Sequence, residues 1–157
     1  HHPDFNGMVV LNTLLGGYFG SRLMTNIREK KGFTYNIYST VDAYLLDGCF
    51  YIATEVSPEK SAAAVRAIFS EMKKLREKLV PEEELSMVRN YILGMMLNGL
   101  DGPINSSDMV RNQIVENQSP EHFEALVETV RSISAEALQA LANQYLQPKD
   151  FWVVTVG

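Results

Sequence analysis

The chain has 157 residues, of which 46% are hydrophobic and 21% are charged, a composition typical of one globular domain with a substantial core. Asp and Glu outnumber Lys and Arg by 19 to 14, so the net charge of -5 gives no electrostatic footprint for nucleic acid. No apolar run is long enough for a membrane span, and one cysteine, Cys49, excludes an internal disulfide and a Cys-based zinc cluster. We therefore predict a single domain over residues 1–157, with neither a nucleic-acid partner nor a membrane span.

Two short helices separated by a glycine pair are predicted at the start of the chain. The first covers residues 4–15 and ends at Gly16-Gly17. The second begins after Ser21 and ends at Gly32, which can adopt the left-handed conformation of a helix C-cap. Their apolar positions follow helical spacing and are expected in the core: Val10, Leu11, Leu14, Leu15, Leu23, Met24 and Ile27.

A β-hairpin is predicted next. Residues 33–44 alternate between two faces, as a strand does. Asp47-Gly48 marks a turn, and residues 49–56 return as the antiparallel partner strand. The alternation predicts that one face of the first strand carries Phe33, Tyr35, Ile37, Val41 and Ala43.

Most of the remaining chain is predicted to be helical. A further helix covers residues 104–117, and the other helix starts are marked by Ser57-Pro58-Glu59, Pro81, Ser119-Pro120-Glu121 and Ser134. Residues 151–156 are continuously apolar and predict a strand buried on both faces. About three strands and about six helices predict an α+β domain with a mostly antiparallel sheet. Because the last strand needs neighbours on both sides, we expect one more strand before His1.

Two segments of the first third resemble a known family. LLGGYFGSRL (residues 14–23) and IREKKGFTYNIYS (residues 27–39) resemble the insulinase/pitrilysin-type zinc peptidases. The mitochondrial processing peptidases and the core proteins of respiratory complex III belong to the same superfamily. The resemblance covers nearly the whole chain and points to the second, C-terminal member of a pair of homologous domains. It implies an α+β fold of the LuxS and processing-peptidase type.

The resemblance also implies where the functional groups lie. In these peptidases the first domain holds an inverted zinc motif, His-x-x-Glu-His, and the second supplies an arginine and a tyrosine that reach the substrate. The matching residues are Arg28 and Tyr35, expected to be catalytic and substrate-binding, while Gly16 and Gly17 match a loop that helps to engage substrate. His-x-x-Glu-His is absent from this sequence. The chain alone is therefore predicted to bind no zinc and to be inactive, with zinc in a companion domain or subunit.

Two functions remain open. The leading hypothesis is the substrate-engaging domain of a zinc-dependent endopeptidase, which binds peptides or unfolded polypeptides, with Arg28 and Tyr35 opening toward the same side. The zinc would lie in the same polypeptide or, in a split enzyme, on a separate subunit. The alternative is a non-catalytic scaffold or partner subunit, like the complex III core proteins. Without the resemblance, Arg28 would be interpreted as a surface partner of a helix dipole and Tyr35 as a core residue. An unpaired sheet edge further predicts a possible homodimer.

Overall fold

A computed structural model describes residues 2–44, 47–115 and 120–156, and it confirms the α+β class. The predicted helix over residues 104–117 corresponds to α4, but its last two residues and the predicted helix start at Ser119 lie outside the described residues. The elements in chain order are α1 (Phe5–Asn12), a π-helical segment (Thr13–Gly17), a second π-helical segment (Met24–Lys30), β1 (Ile37–Ala43), β2 (Gly48–Thr54), α2 (Pro58–Glu77), α3 (Glu82–Leu100), α4 (Gly102–Val115), α5 (Pro120–Ser132), α6 (Ala135–Tyr145) and a 3-10 turn (Pro148–Asp150).

The two predicted N-terminal helices are present, but both contain wider π-helical turns. The first changes from α to π geometry at Thr13, whose hydroxyl donates a 2.9 Å hydrogen bond to the carbonyl of Val9. Such a side-chain bond competes with the regular helical hydrogen bonds and can distort the helix. Gly32 has φ of +58°, which confirms the left-handed conformation expected after the second helix.

The hairpin is confirmed, but its first strand is shorter than predicted. β1 and β2 pair antiparallel from Ile37 opposite Thr54 to Ala43 opposite Gly48. Residues 33–36 are not part of the strand, because local bonds satisfy their backbone instead. The amide of Phe33 donates to the carbonyl of Ile27 at 3.1 Å, and the hydroxyl of Thr34 contacts the carbonyls of Asn36 and Glu55 at 2.8 and 2.6 Å. The strand alternation therefore does not decide where the Tyr35 side chain lies.

The predicted strand over residues 151–156 is wrong. This segment pairs with no other strand in the described part of the chain. Phe151 packs edge-to-face on Phe50 and Phe69, with ring centroids 6.0 and 6.1 Å apart. Trp152 is 95% exposed, and the valines that follow it are exposed as well. An apolar run predicts burial only where a neighbouring strand covers it, and the described sheet consists of β1 and β2.

The core lies between the hairpin and the helices, and the seven apolar residues predicted for the first two helices are all buried in it. Arginines tie two helices to neighbouring loops: Arg89 on α3 donates to the carbonyl of Ile133, after α5, at 2.6 Å, and Arg76 on α2 donates to the carbonyl of Leu146, after α6, at 2.7 Å. None of the helices within the described ranges is long and apolar enough to cross a membrane. The homodimer through a sheet edge stays a prediction.

Candidate functional site

The guanidinium of Arg28 is held at one end by the backbone. Arg28 lies in the second π-helical segment, and its Nε donates a 2.9 Å hydrogen bond to the backbone carbonyl of Tyr35. Its Cζ lies 4.9 Å from the centre of the Phe19 ring, within the range of a cation–π contact. Nη1 is 4.0 Å from Glu29, and the side chain is 33% exposed. One edge of the guanidinium is thus fixed, while part of it faces solvent.

The side chain of Tyr35 is on the surface. Tyr35 lies at a bend two residues before β1 and is 96% exposed. The interpretation of Tyr35 as a core residue is therefore wrong. Its phenol forms no hydrogen bond with any other described residue, whereas its backbone carbonyl holds Arg28. The turn at Gly32 brings the two residues together through the main chain, seven positions apart in sequence.

Arg28 and Tyr35 line one open cavity of about 670 Å³. Its walls combine two cations, Arg28 and Lys60, with two carboxylates, Glu29 and Glu55. Lys60 Nζ donates to the carbonyl of Gly32 at 3.2 Å, so the first turn of α2 is tied to the turn between the two site residues. The arrangement offers N–H and O–H donors beside an accessible groove. Contact of either residue with a substrate stays a prediction.

The two glycines of the predicted substrate loop differ from each other. Gly16 is buried, and a Cβ at this position would lie 2.5 Å from Ser39 Oγ and 2.6 Å from the Ser39 amide nitrogen. The first π-helical segment can therefore pack against β1 only with glycine there. Gly17 is exposed, and its Cβ would meet Asn12 at 3.2 Å. Gly16 has a packing role, and a substrate contact by either glycine stays a prediction.

Sequence reasoning missed two residues that shape the site, Phe19 and Lys60. Phe19 belongs to a short stretch with glycine on both sides, which has no periodicity to mark an aromatic contact for Arg28. Lys60 offered a signal, because a cation in the first turn of a helix opposes the helix dipole. Such a position is unfavourable unless the cation has a partner, which here is the carbonyl of Gly32.

Tyrosines elsewhere on the hairpin lie in an acidic environment. The charge of Asp42 is the main cause that raises the pKa of Tyr44 and of Tyr51 above the usual tyrosine value, because a phenolate beside a carboxylate is disfavoured. The Tyr38 and Tyr51 rings meet edge-to-face with centroids 6.3 Å apart. These tyrosines lie outside the cavity lining, so Tyr35 differs from them in its location.

The residues that the structure describes do not include a set of side chains that could bind a zinc ion. Within them, no group of three or more His, Cys, Asp or Glu side chains could hold a metal ion. The acids of the cavity, Glu29 and Glu55, are two carboxylates beside two cations, which is not a zinc-binding arrangement. The described residues therefore do not fit a zinc site.

Comparison with known proteins connects this domain to a peptidase family. The family model described as "Peptidase M16 inactive domain" matches residues 1–92. An uncharacterized zinc protease of Mycobacterium tuberculosis is 28% identical over 141 residues, which is 87% of this chain and 32% of that protein. A protein of Helicobacter pylori called a non-peptidase homolog is 36% identical over 90 residues, which is 54% of this chain and 20% of that protein. The chain spans about a third of the length of the first of these relatives.

Solved structures share the fold. A peptidase M16 inactive domain from Pseudomonas fluorescens superimposes with a TM-score of 0.81 at 22% identity, over 93% of this chain and 35% of that one. A chain of complex III2 from Candida albicans gives a TM-score of 0.75 at 9% identity, over 92% of this chain and 36% of that one. At these identities the likeness is one of fold.

Proposed function

Because the chain belongs to the family of the peptidase M16 inactive domain, we propose that it engages a polypeptide segment through Arg28 and Tyr35 beside a zinc-bearing companion domain or subunit. One observation carries the proposal. Tyr35 is 96% exposed, while its carbonyl holds the guanidinium of Arg28 at the edge of a 670 Å³ cavity. A large aromatic side chain left in solvent beside an arginine is more typical of a binding surface than of a fold-stabilising contact.

The two side chains suit the backbone of an extended peptide. The N–H groups of Arg28 not used on Tyr35 can donate to peptide carbonyls, and the guanidinium is always charged. The Tyr35 hydroxyl can donate to a carbonyl oxygen whose negative charge increases during hydrolysis. In this proposal the zinc chemistry belongs to the companion, and the absence of a metal-binding group among the described residues supports that division. The relatives named as zinc proteases support such a companion, since they are about three times as long as this chain.

The test combines activity with folding in the protein that contains this domain together with its zinc-bearing companion. Tyr35→Phe removes one donor and little volume, so turnover of an unstructured peptide should fall by about 10²–10³-fold, as for other transition-state donors. Circular dichroism and thermal unfolding of the variant should match those of the parent. Unchanged turnover would overturn the catalytic role of Tyr35.

A matched control uses another exposed tyrosine, outside the cavity. Tyr44 is 61% exposed and directly follows β1, and its hydroxyl contacts Asp42. Tyr44→Phe should leave turnover unchanged. An equal loss in both variants would indicate a general surface effect and would remove the support for a specific site at Tyr35.

The second candidate function is a non-catalytic partner subunit. It is favoured by the relative from Helicobacter pylori that is called a non-peptidase homolog and that is 36% identical over 90 residues. In that case Tyr35→Phe and Arg28→Ala would change neither turnover nor peptide affinity. Removal of the whole domain would still disrupt the assembly, which analytical ultracentrifugation of the complex would detect.

A further inference from the structure

A second cavity adjoins the first. It has a volume of about 400 Å³ and shares one wall residue, Phe33, with the cavity of Arg28 and Tyr35. Three cations line it: Lys31, Arg66 and Lys74. Arg66 and Lys74 are eight residues apart on α2, so they lie on one stripe of that helix, two turns apart. The small side chain of Ala67 lies between them and leaves room for a ligand.

The positive charge of this basic cavity is only partly neutralised by the protein. Lys74 Nζ contacts Glu71 at 2.6 Å, and the same buried carboxylate accepts a hydrogen bond from Asn26. Lys31 lies 5.9 Å from the centre of the Phe33 ring. Neither Lys31 nor Arg66 forms an ion pair within the described part of the chain. One carboxylate therefore faces three cations, although the whole chain has a net charge of -5.

The first cavity differs in this respect. It contains two carboxylates, Glu29 and Glu55, for its two cations, and so has no surplus of either sign. A peptide that lies along Arg28 and Tyr35 would pass from a balanced groove to a positively charged one on the far side of Phe33. An extended chain rises about 3.3 Å per residue, so a side chain a few residues from the one at Tyr35 can reach the second cavity.

We propose that the basic cavity binds the carboxylate of an acidic side chain, Asp or Glu, in the polypeptide that the first cavity engages. The proposal rests on the proposed function and adds a preference for acidic substrates. The planar guanidinium of Arg66 can hold a carboxylate with two N–H donors, and Lys31, which lines the same cavity, adds a point charge. The surplus cations are on the surface, so the preference should weaken as salt screens them.

The experiment measures the affinity of this chain for peptides of about ten residues, which extend over about 30 Å. One series has a single Glu moved along a background of Ala and Gln, and its matched series has Gln at the same position. One Glu position should bind about fivefold more tightly than its Gln counterpart at low salt, as expected for one or two exposed charge pairs. In the double variant Lys31→Gln/Arg66→Gln this difference should vanish, while affinity for the Gln peptides is unchanged.

A control variant changes a lysine on the same helix outside the cavity. Lys73 pairs with Glu77 at 3.6 Å and does not line the cavity. Lys73→Gln should retain the preference for Glu. A Glu preference that is absent, or that survives in the double variant, would overturn the proposal. Inorganic phosphate that binds through Arg66, with no preference between Glu and Gln peptides, would assign the cavity to a free anion and would also overturn it.

Failure of the proposed function gives a different result. Acetyl-Glu-methylamide and its Gln analogue are too short to span both cavities, and the NMR signal of the Arg66 side chain reports their binding directly. If Arg28→Ala leaves peptide affinity unchanged but the Glu probe still shifts the Arg66 signal, the proposed function fails and the basic cavity remains a carboxylate site. If Arg28→Ala weakens all peptides equally and Arg66 responds to neither probe, the proposed function holds and the acidic preference is wrong.

Discussion

The segment from residue 13 to residue 35 contains one arginine in each half, Arg22 and Arg28, and the two differ in how fully other residues of the protein bind their guanidinium groups. In the first half, Arg22 donates from Nε and Nη2 to both carboxylate oxygens of Glu84, at 2.8 and 2.7 Å, and its side chain is 15% exposed. In the second half, Arg28 donates from Nε to a backbone carbonyl, and its side chain is 33% exposed. An arginine already paired with a carboxylate therefore stabilises the fold, whereas one fixed by a single edge can still bind a ligand.

The largest expected effect on the free energy of unfolding is in the first half of the segment, where Gly16 packs on β1. Gly16→Ala places a methyl group 2.6 Å from a backbone nitrogen, which must move, so we expect a loss of about 2–3 kcal/mol in the free energy of unfolding. Gly94→Ala is the control, because no atom lies within 4 Å of its Cβ position in α3. That variant should be more stable by about 0.5–1 kcal/mol. Urea denaturation measures both, and equal effects would remove the packing role of Gly16.

The next effect tests the pair Arg22–Glu84. Arg22→Ala leaves a mostly buried carboxylate without its charged partner, so we expect a loss of about 2 kcal/mol in the free energy of unfolding. Thermal and urea unfolding check this value. A loss below about 0.5 kcal/mol would show that the pair acts as an ordinary surface ion pair, and Arg22 would then stabilise the fold no more than Arg28 does.

A smaller effect on stability is expected for Arg28, in the second half of the segment. Arg28→Ala removes one hydrogen bond to a carbonyl at an exposed site, so the free energy of unfolding should change by no more than about 0.5–1 kcal/mol. The same variant should lose affinity for peptide, as measured by isothermal titration calorimetry. If Arg28→Ala destabilises the chain as much as Arg22→Ala, the second arginine also serves the fold and the contrast disappears.

The smallest expected effect is on the pH dependence of the unfolding free energy, through a contact outside the segment from residue 13 to residue 35. The Tyr145 hydroxyl donates a 2.6 Å hydrogen bond to Asp4, and this bond raises the pKa of Tyr145 to about 12. The neutral phenol is favoured in the folded state, so its contribution to stability is fully present below about pH 10 and is lost as pH rises toward about 12. Unfolding free energies across this range should fall less steeply in Tyr145→Phe than in the parent. Parallel slopes would contradict the contact.

The sequence predicted the elements of the first third well because their signals are local. Glycine at position 32 and the apolar spacing of Leu11, Leu14 and Leu15 depend on neighbours a few residues away, and the structure agrees with them. The family resemblance likewise identified Arg28 and Tyr35 as residues that lie together. The pairing of Arg22 with Glu84 was not predictable in this way, since it joins residues 62 positions apart.

Two errors have a common physical cause. Strand alternation predicts the position of Tyr35, and continuous apolar character predicts a strand over residues 151–156. Both patterns assume that a neighbouring strand continues alongside. At Tyr35 the Thr34 side chain takes over the backbone bonds, and beyond Phe151 no strand of the described residues lies alongside. Patterns along one strand cannot report whether its partner is present.

The position of Trp152 determines what optical measurements on this chain can detect. It is the chain's one tryptophan, and almost all of its indole is in contact with water. Its fluorescence should therefore change little when the core unfolds, so unfolding must be followed by far-ultraviolet circular dichroism instead. A shift of the emission to shorter wavelength would have another meaning. It would report that a second chain or an added strand has covered residues 151–156, and the indole is thus a built-in reporter of assembly.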